Sequence, residues 1–408
     1  MDGQPSQSRV AGRVCLIARV GVAPRPDIIC CAKALAQRGW RVDVLAGADA
    51  PLPEYVFPEP AIAIRKWRHP SLDDGPLGRL RNLADFCRWV MGEVRRERYA
   101  YLIGFDPDGL IAAGLASRRC GGTPFVYYSL ELYTEAEMRR PDQRLKKLAE
   151  RWFNRRAIAS VVHDERREVV LRRLNGLDPA HRLFRVPNAP LLGEGAPPGC
   201  TDYVRRRLAD QGVERPQTVV LYHGGLGDLT MVAEIAESVG DWPPGCVFFA
   251  HGWGSAEYIG RLGAIAARHR PPRVVVSTEF LPFEELDGLT ASAHVGIALY
   301  RDVGTPNVFE MASGKLYQYM KHGLPVITND FPNLRAVVER HGAGLCIDPT
   351  VPGSIAAAVR ALAVDGARYG RCAEAARSAF ARHFAYEPNF APLAEMLEER
   401  IGQRAVAV

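Results

Sequence analysis

Residues 305–330 read TPNVFEMASGKLYQYMKHGLPVITND, and they carry the clearest pattern in the chain. It predicts a loop with one carboxylate, Glu310, then a helix that opens on Ser-Gly-Lys at 313–315, then a buried strand over VIT at 326–328. Gly323 stands where such a helix needs a left-handed residue to end. The free N–H groups and partial positive charge of the helix start, together with its lysine, favour a phosphate. The stretch therefore predicts an α/β unit that binds a phosphorylated ligand.

Strands alternate with helices along nearly the whole chain around this stretch. The predicted strands lie at 14–17, 42–45, 102–103, 125–128, 160–162, 184–186, 218–222, 247–250, 274–277, 295–298, 326–328 and 345–347. This alternation predicts parallel sheets covered by helices on both faces, which bind ligands outside the carboxyl ends of their strands. The Pro- and Gly-rich segment 187–200 separates two such series. We therefore predict Rossmann-like domains at 1–190 and 201–385, and a last helix at 386–408 that packs back on the first domain.

Composition and charge exclude several classes of protein. The chain has 408 residues, too many for one ordinary core, and the net charge of +6 is spread without an aromatic-interleaved stripe, so no nucleic-acid partner is expected. The nine cysteines are scattered and lack metal-ligand spacing, which indicates free thiols and no metal site. No apolar run is long enough to span a membrane and no signal-peptide pattern opens the chain. We expect a cytoplasmic protein.

The segments KLYQYM at 315–320 and GLPVI at 323–327, placed after Glu310, form a specific motif. Similar segments are LELY at 130–133, VPN at 186–188, YHGG at 222–225 and FEEL at 283–286. Together they resemble the retaining glycosyltransferases of the GT-B fold, of the family 4 (glycosyl transferases group 1) type. The likeness covers nearly the whole chain and is weakest over 51–98.

The resemblance implies a fold and a reaction. In the α/β GT-B fold, two doubly wound Rossmann-like domains face each other across a cleft, and the C-terminal helix returns to the first domain. The implied reaction moves a sugar, with retention, from a nucleotide-diphosphate-sugar donor on the second domain to a hydroxyl acceptor on the first. The acceptor class is a polysaccharide, glycolipid or natural-product precursor. No cofactor or metal is implied, because positive side chains and helix N-termini stabilise the leaving phosphate.

The resemblance also implies donor contacts. Glu310 would contact hydroxyls of the donor sugar, and Lys315 would contact the phosphates. Gln318 replaces the family's second acidic residue and would still bond to the ribose, because an amide donates and accepts hydrogen bonds. The other donor-binding candidates are Ser313, Gly314, Gly224, Gly225, Gly21 and His251.

The turn after Tyr222 departs from the family pattern, because residues 225–231 contain no Lys or Arg. Arg301, just after a predicted strand, is our candidate for the missing charge, since arginine can contact two phosphate oxygens at once. Arg19 and Arg25, which flank the loop of Gly21, are alternative sources of positive charge.

Three carboxylates and one histidine follow strands of the first domain. Asp106 and Asp108 follow the strand that ends at residue 103, and Glu131 and His163 each follow a later strand. We expect one of them to orient the acceptor hydroxyl. Asp106 and His163 are the catalytic candidates here, beside Glu310, and Asp108 and Glu131 are placed on the acceptor side.

The helix predicted over 139–156 is rich in Arg and Lys. Its apolar side consists of Leu145, Leu148, Trp152 and Phe153. This pattern indicates either a solvated face over a core stripe or peripheral contact with the anionic inner face of a membrane, as expected for a lipid-linked acceptor.

Three other functions stay open. A degenerate GT-B protein that binds a ligand or partner is suggested by Gln318 and by the bare turn at 225–231. A nucleotide-sugar 2-epimerase would need an acid/base set at C-2 of the donor sugar, for which no distinct motif is present. A pseudo-glycosyltransferase acting on a nucleotide-bound cyclitol shares every motif above. The nucleobase, the sugar, the acceptor and the oligomeric state are not encoded in any motif.

Overall fold

The computed structural model of the protein describes residues 12–49, 52–68, 75–132, 134, 138–193, 202–213, 216–304 and 313–406. These residues form two compact units. The first unit runs to Pro187 and takes in the last helix, and the second unit is Asn188–Ala385.

The first unit is built on a parallel sheet of seven strands in the order β3-β2-β1-β4-β5-β6-β7. The strands are β1 (Gly12–Ala18), β2 (Trp40–Gly47), β3 (Ile62–Trp67), β4 (Tyr101–Phe105), β5 (Phe125–Tyr128), β6 (Ala159–Val162) and β7 (Leu183–Arg185). The helices between them are α1 (Pro26–Gln37), α2 (Pro76–Arg96), α3 (Asp106–Arg119), α4 (Pro141–Asn154) and α5 (Glu165–Asn175). Central strands such as β1 are apolar and buried, because helices cover both faces of the sheet.

The second unit is built on a parallel sheet of six strands in the order β10-β9-β8-β11-β12-β13. The strands are β8 (Thr218–His223), β9 (Cys246–His251), β10 (Val274–Ser277), β11 (Val295–Ala298), β12 (Val326–Asn329) and β13 (Gly344–Ile347). The helices are α6 (Tyr203–Asp210), α7 (Val232–Ser238), α8 (Ala256–Ala266), α9 (Glu285–Ala291), α10 (Gly314–Lys321), α11 (Pro332–Val337), α12 (Ser354–Ala363) and α13 (Gly366–Ala379). Successive strand residues point to opposite faces, so Val220 and Phe248 enter one core while Leu221 and Phe249 enter the other.

The segment after the glycine turn does not enter a regular helix at once. The structure has a 3-10 turn at Asp228–Thr230, then Met231 with a φ of 49°, and only then α7. The hydroxyl of Thr230 lies 2.9 Å from the carbonyl oxygens of both Gly225 and Gly227. These side-chain bonds hold a separate turn where a regular helix would need backbone bonds.

The last helix, α14 (Tyr386–Val406), packs against the first unit. The Tyr101 hydroxyl donates to the carbonyl of Leu397 at 2.9 Å, and Arg38 pairs with Glu398 at 2.7 Å. A hydrogen bond and an ion pair therefore link strand β4 and the end of α1 to this helix.

Two further expectations concern cysteines and membrane spans. The cysteines in the described ranges are all free thiols, as predicted. Among the residues that the structure describes, no helix is long and apolar enough to cross a bilayer.

Candidate active site

The carboxyl ends of β8 and β9 meet at a glycine turn. Gly224, directly after β8, has a φ of 128°, and its N–H donates to the carbonyl of His251 at 2.9 Å. Glycine adopts this conformation without the strain that a side chain would bring. Gly225 follows in open space, because a Cβ placed there would meet no atom within 4 Å.

Lys315 lies over this turn. A Cβ on Gly224 would stand 2.4 Å from the Lys315 Cε, and the Lys315 Nζ is 5.6 Å from the ring centres of both Tyr222 and Tyr300. Such a position allows cation–π attraction. Burial alone would lower the pKa of Lys315, but the phenols of Tyr300 and Tyr222 outweigh it and raise the pKa above its ordinary value. The ammonium is therefore charged at neutral pH.

Hydrogen bonds fix the side chains around Lys315. The hydroxyls of Tyr300 and Ser313 are bonded at 2.6 Å, and the Tyr222 hydroxyl donates to the carbonyl of Gly225 at 2.6 Å. Ser313 is buried at the start of α10, and Gly314 packs so closely on Asn188 that a Cβ would stand 3.1 Å from its carbonyl oxygen. The helix start and the glycine turn thus share one rigid frame.

Gln318 is buried and bonded to a carboxylate. Its Nε2 donates to Asp287 Oδ1 at 2.5 Å, and the same carboxylate accepts from Lys321 at 2.8 Å and from His322 at 2.7 Å. Burial of Asp287 would raise its pKa, but His322 and Lys321 outweigh this and lower it. Helix α9 therefore supplies an ionised carboxylate that orients the Gln318 amide, whose Nε2 is occupied and whose Oε1 remains as an acceptor.

Two buried histidines end β8 and β9. Burial, reinforced by the Lys315 charge, lowers the pKa of His223 to about 3, and its Nε2 has no hydrogen-bond partner in the described ranges. Burial and then Arg207 lower the pKa of His251 to about 4, while its Nδ1 lies 3.2 Å from the Ser277 hydroxyl. Both imidazoles are therefore neutral at pH 7.

Arg301 does not join the group around Lys315. It is 46% exposed, its guanidinium pairs with Glu234, and its Nε donates to the carbonyl of Asp228 at 3.3 Å. The charge that the sequence assigned to the phosphates is already matched by Glu234. Glu310 lies outside the described residues.

Asp106 links loops in the first unit. It has a φ of 54°, and its carboxylate accepts from the N–H groups of Leu130 at 3.0 Å and Glu131 at 3.1 Å, and from Arg25 at 2.9 Å. Burial raises the pKa of Asp106, although Arg25 opposes this. The carboxylate therefore holds backbone and arginine together, and exposed Glu131 contributes its N–H to that arrangement.

His163 offers a buried acceptor lone pair. Its Nδ1 lies 2.9 Å from the carbonyl of Val186, which can only accept, so Nδ1 carries the proton. Its Nε2 is buried and has no hydrogen-bond partner among the described residues. Burial, with Arg167 acting in the same direction, lowers the pKa of His163 to about 4. The ring is neutral at pH 7.

The loop of Gly21 is held by Asp49. A Cβ on Gly21 would stand 2.4 Å from an Asp49 carboxylate oxygen, which also accepts from the N–H of Ala23 at 2.8 Å. Only glycine fits this close approach. The two flanking arginines are paired: Arg25 with Asp27 and Asp106, and Arg19 with Asp108.

The predicted apolar side of helix α4 is only partly buried. Phe153 is buried, whereas Leu145 is 54% exposed and Leu148 is 59% exposed. Arg139, Arg140 and Arg144 are exposed near these leucines in the sequence. The two leucines therefore belong to the basic surface and not to the core.

Sequence reasoning missed three residues of the site. Tyr222 was quoted only as part of the glycine turn, Tyr300 precedes Arg301 without a motif of its own, and Asp287 lies in α9. No spacing pointed to them, since their roles arise from contacts between distant segments. In the part of the chain that the structure describes, no group of three or more His, Cys, Asp or Glu side chains is placed to hold a metal.

Two family models match the chain. Residues 31–189 match the glycosyl transferase 4-like domain, and residues 230–365 match glycosyl transferases group 1. No curated protein matches the sequence.

Solved structures resemble the whole chain. HepE from Anabaena, in complex with UDP and glucose, is 14% identical over 97% of this chain and 100% of that chain, with a TM-score of 0.67. Sucrose-phosphate synthase from Thermosynechococcus elongatus is 17% identical over 97% and 100%, with a TM-score of 0.68. WaaG, a glycosyltransferase involved in lipopolysaccharide biosynthesis, is 15% identical over 94% and 99%, with a TM-score of 0.61. These likenesses confirm the predicted fold of two Rossmann-like domains, the GT-B fold.

Proposed function

Because the chain belongs to the family of glycosyl transferases group 1 and is a glycosyltransferase, we propose that it moves a sugar from a nucleotide-diphosphate-sugar to a hydroxyl acceptor with retention of configuration. One observation carries the donor part of this proposal. The charged Lys315 lies over Gly224 at the carboxyl end of β8 and at the start of α10. An ammonium, a glycine turn and a helix N-terminus together favour a diphosphate.

Lys315 supplies the positive charge that the turn after β8 lacks. Residues 225–231 contain no Lys or Arg, but Lys315 brings an ammonium to that turn from α10. Its described neighbours are the rings of Tyr222 and Tyr300. Lys315 therefore stabilises the negative charge that grows on the leaving diphosphate as the glycosidic bond breaks.

The other donor roles rest on the family pattern. Glu310 contacts hydroxyls of the donor sugar, and the Gln318 Oε1, oriented by Asp287, accepts a hydrogen bond from the ribose. His251 lies beside the nucleobase.

The reaction needs no separate base. The bond between the anomeric carbon and the diphosphate oxygen breaks, and that oxygen keeps the electron pair. The acceptor oxygen attacks the same face of the sugar, and its proton passes to the leaving phosphate. No metal takes part, because Lys315 and the helix N-terminus carry the stabilising charge.

The first unit holds the acceptor in this proposal. The neutral His163 has a buried Nε2 lone pair without a described partner, which can accept a hydrogen bond from an acceptor hydroxyl and orient it. Asp106 already accepts three hydrogen bonds, so its part is to hold the loop that carries Glu131.

The test is a thermal-shift panel of UDP, GDP, ADP and dTDP, each with its common sugars, followed by transfer assays in EDTA. One nucleotide should raise the unfolding temperature selectively and name the donor. NMR of the product should then show the donor's anomeric configuration. No shift with any nucleotide would favour a degenerate binding protein, and an inverted product would end the retaining mechanism.

We also propose that the protein works in the cytoplasm at the inner membrane face. Leu145 and Leu148 are exposed on the basic helix α4, as suits insertion beside anionic headgroups. Replacing both leucines with Ser should abolish co-sedimentation with anionic vesicles. Val169→Ser, at a position 63% exposed on α5, is the matched control. Equal binding by all three proteins would refute the membrane contact.

A further inference from the structure

A chain of hydrogen bonds connects the end of β9 to Glu279, which follows β10. The His251 Nδ1 lies 3.2 Å from the Ser277 hydroxyl oxygen, and that oxygen lies 2.8 Å from the Tyr203 hydroxyl. The Tyr203 hydroxyl donates to Glu279 Oε2 at 3.4 Å. His251 and Ser277 are partners in the register of the two strands, so the backbone holds them side by side. An imidazole is therefore linked to a carboxylate through two hydroxyls.

The carboxylate at the end of this chain fixes the direction of its bonds. Glu279 pairs with the Arg207 guanidinium, so it is ionised and can only accept. Tyr203 gives its single hydroxyl proton to Glu279, and its oxygen must then accept from Ser277. Because the Ser277 proton is used in this way, the Ser277 oxygen accepts from the imidazole. The proton of His251 is therefore on Nδ1.

The other ring nitrogen of His251 is then an acceptor. The pKa of His251 is lowered to about 4, so the ring carries only one proton at pH 7. The residue is 4% exposed, and its Nε2 has no hydrogen-bond partner in the part of the chain that the structure describes. The Nε2 atoms of His163 and His223 are enclosed by protein, whereas that of His251 is not. A ligand that donates a hydrogen bond there would satisfy an acceptor that the protein leaves unpaired.

His251 lies on the face of the sheet that α6 and α10 cover. Phe249, two residues earlier in β9, packs with residues of both helices, and alternate strand residues share a face. The N–H of Gly224 donates to the His251 carbonyl at 2.9 Å, so the histidine adjoins the turn over which Lys315 lies. The base of a nucleotide whose diphosphate binds at that turn can therefore reach the imidazole.

We propose that Glu279, Tyr203 and Ser277 are positioning residues that hold His251 in its Nδ1–H tautomer, so that Nε2 accepts a hydrogen bond from an N–H of the donor's nucleobase. This inference rests on the proposed function, in which His251 lies beside the base. A base that presents an N–H at this point is favoured, and one that presents a carbonyl oxygen or an unprotonated ring nitrogen there leaves two acceptors unpaired. The hydrogen-bond chain thus acts on donor specificity.

Tyr203→Phe reverses the chain without removing a charge. Ser277 then has only the His251 Nδ1 as an acceptor among the described residues, so it donates to Nδ1 and the imidazole proton moves to Nε2. Phenylalanine keeps the ring that packs edge-on against Phe249 and His251, so the variant should fold. The matched control is Tyr369→Phe, which removes a hydroxyl without a described hydrogen bond from a half-buried tyrosine of the same unit.

The first measurement is a long-range nitrogen–proton NMR spectrum of the full chain with isotope-labelled histidines, at pH 7 and without ligand. Such a spectrum distinguishes protonated from unprotonated ring nitrogens, and His251→Gln identifies the signal of His251 by its loss. We expect the Nδ1–H tautomer in the wild type and in Tyr369→Phe. Tyr203→Phe should show the Nε2–H tautomer.

The second measurement is isothermal titration with inorganic pyrophosphate, with the nucleoside that the panel selects, and with that nucleoside methylated on the N–H of its base. Tyr203→Phe should raise the Kd of the nucleoside about tenfold or more, because an Nε2–H then faces an N–H. The Kd of pyrophosphate should not change, whereas a general structural defect would raise it too. Methylation should weaken binding to the wild type about tenfold or more and to Tyr203→Phe much less.

Three results would overturn the inference: an Nε2–H tautomer in the wild type, an unchanged tautomer in Tyr203→Phe, or an unchanged Kd of the nucleoside in that variant. The spectra need no ligand, so they separate this failure from that of the proposed function. If a nucleotide stabilises the protein while His251 carries its proton on Nε2, the donor site stands and only this inference falls. If His251 carries its proton on Nδ1 but no nucleotide binds, the proposed function falls and the role of Nε2 at a nucleobase falls with it.

Discussion

Lys315→Met is the most informative single change in the second unit. Methionine keeps the length of the side chain, so it can still pass over Gly224 between the rings of Tyr222 and Tyr300, but it removes the ammonium. The fold should survive, since no carboxylate pairs with Lys315 in the described ranges and none loses its partner. Apart from its contacts with the two tyrosines, the interaction that the variant loses is the one with the diphosphate.

The size of the loss follows from the position of the ammonium. Two unit charges at 4 Å interact with about 4 kcal/mol at an effective dielectric constant of 20, and a charge-assisted hydrogen bond contributes about 1.5–3 kcal/mol net. Lys315 is only half-buried, so solvent screens part of this attraction. We expect a loss of about 2 kcal/mol, or roughly 30-fold in the Kd of the nucleoside diphosphate.

The assay is isothermal titration with the nucleoside diphosphate that the panel selects, and with the same nucleoside lacking phosphates. Lys315→Met should weaken only the diphosphate, and Arg340→Met, which removes one exposed charge from the same unit, should weaken neither. If Lys315→Met weakened the nucleoside as much as the diphosphate, or left both unchanged, Lys315 would not be the phosphate contact.

Three other changes test the frame of the site. Gly224→Ala puts a Cβ 2.4 Å from the Lys315 Cε at a φ of 128°, so it should lower the free energy of unfolding by about 1–3 kcal/mol. The control Gly227→Ala, with open space around it, should not lower it. Equal melting temperatures of the two variants would contradict this prediction. Asp287→Asn should cost about 3 kcal/mol in urea denaturation because it breaks a buried pair, and an unchanged midpoint would refute the role of that carboxylate. Burial lowers the pKa of His163 to about 4. Between pH 6.5 and 4, His163 therefore binds a proton in the unfolded chain but not in the folded protein. The free energy of unfolding should fall by about 3 kcal/mol as the pH drops through this window, and His163→Phe should flatten that slope; a profile unaltered by the substitution would argue against it.

The sequence predicts the sheets better than their edges. Central strands such as β1 are buried on both faces, so their apolar runs are continuous and easily recognised. Strand β3 is an edge strand with mostly half-buried residues, including Arg65 and Lys66, and it falls in the segment that matched no pattern. An edge strand keeps charges because one side faces solvent. Patterns of burial therefore identify it less clearly.

The site depends on strand order, which local patterns do not contain. Strand β11 pairs with β8, although strands β9 and β10 lie between them in the chain. This pairing brings Tyr300 beside the Lys315 ammonium, which Tyr222 also faces. The motif predicted Lys315 and Gly224 separately. Only the folded sheet shows that Lys315 lies over Gly224. The contact between Asp287 of α9 and Gln318 of α10 is equally non-local.

The number of charged residues in a segment predicts an anion-binding site less well than the number of those charges that have no ion-pair partner in the fold. The turn at 225–231 lacks cations, so the sequence suggested Arg301 as the replacement, yet Glu234 neutralises that arginine in the fold. Lys315 lies beside two tyrosines, and no carboxylate among the described residues pairs with its ammonium. The same rule applies to Arg25 of the first unit, which is already paired with Asp27 and Asp106. An anion binds most strongly where buried cations have no carboxylate of the protein as a partner. At such a place water screens the attraction little, and no carboxylate of the protein competes with the anion for the cation.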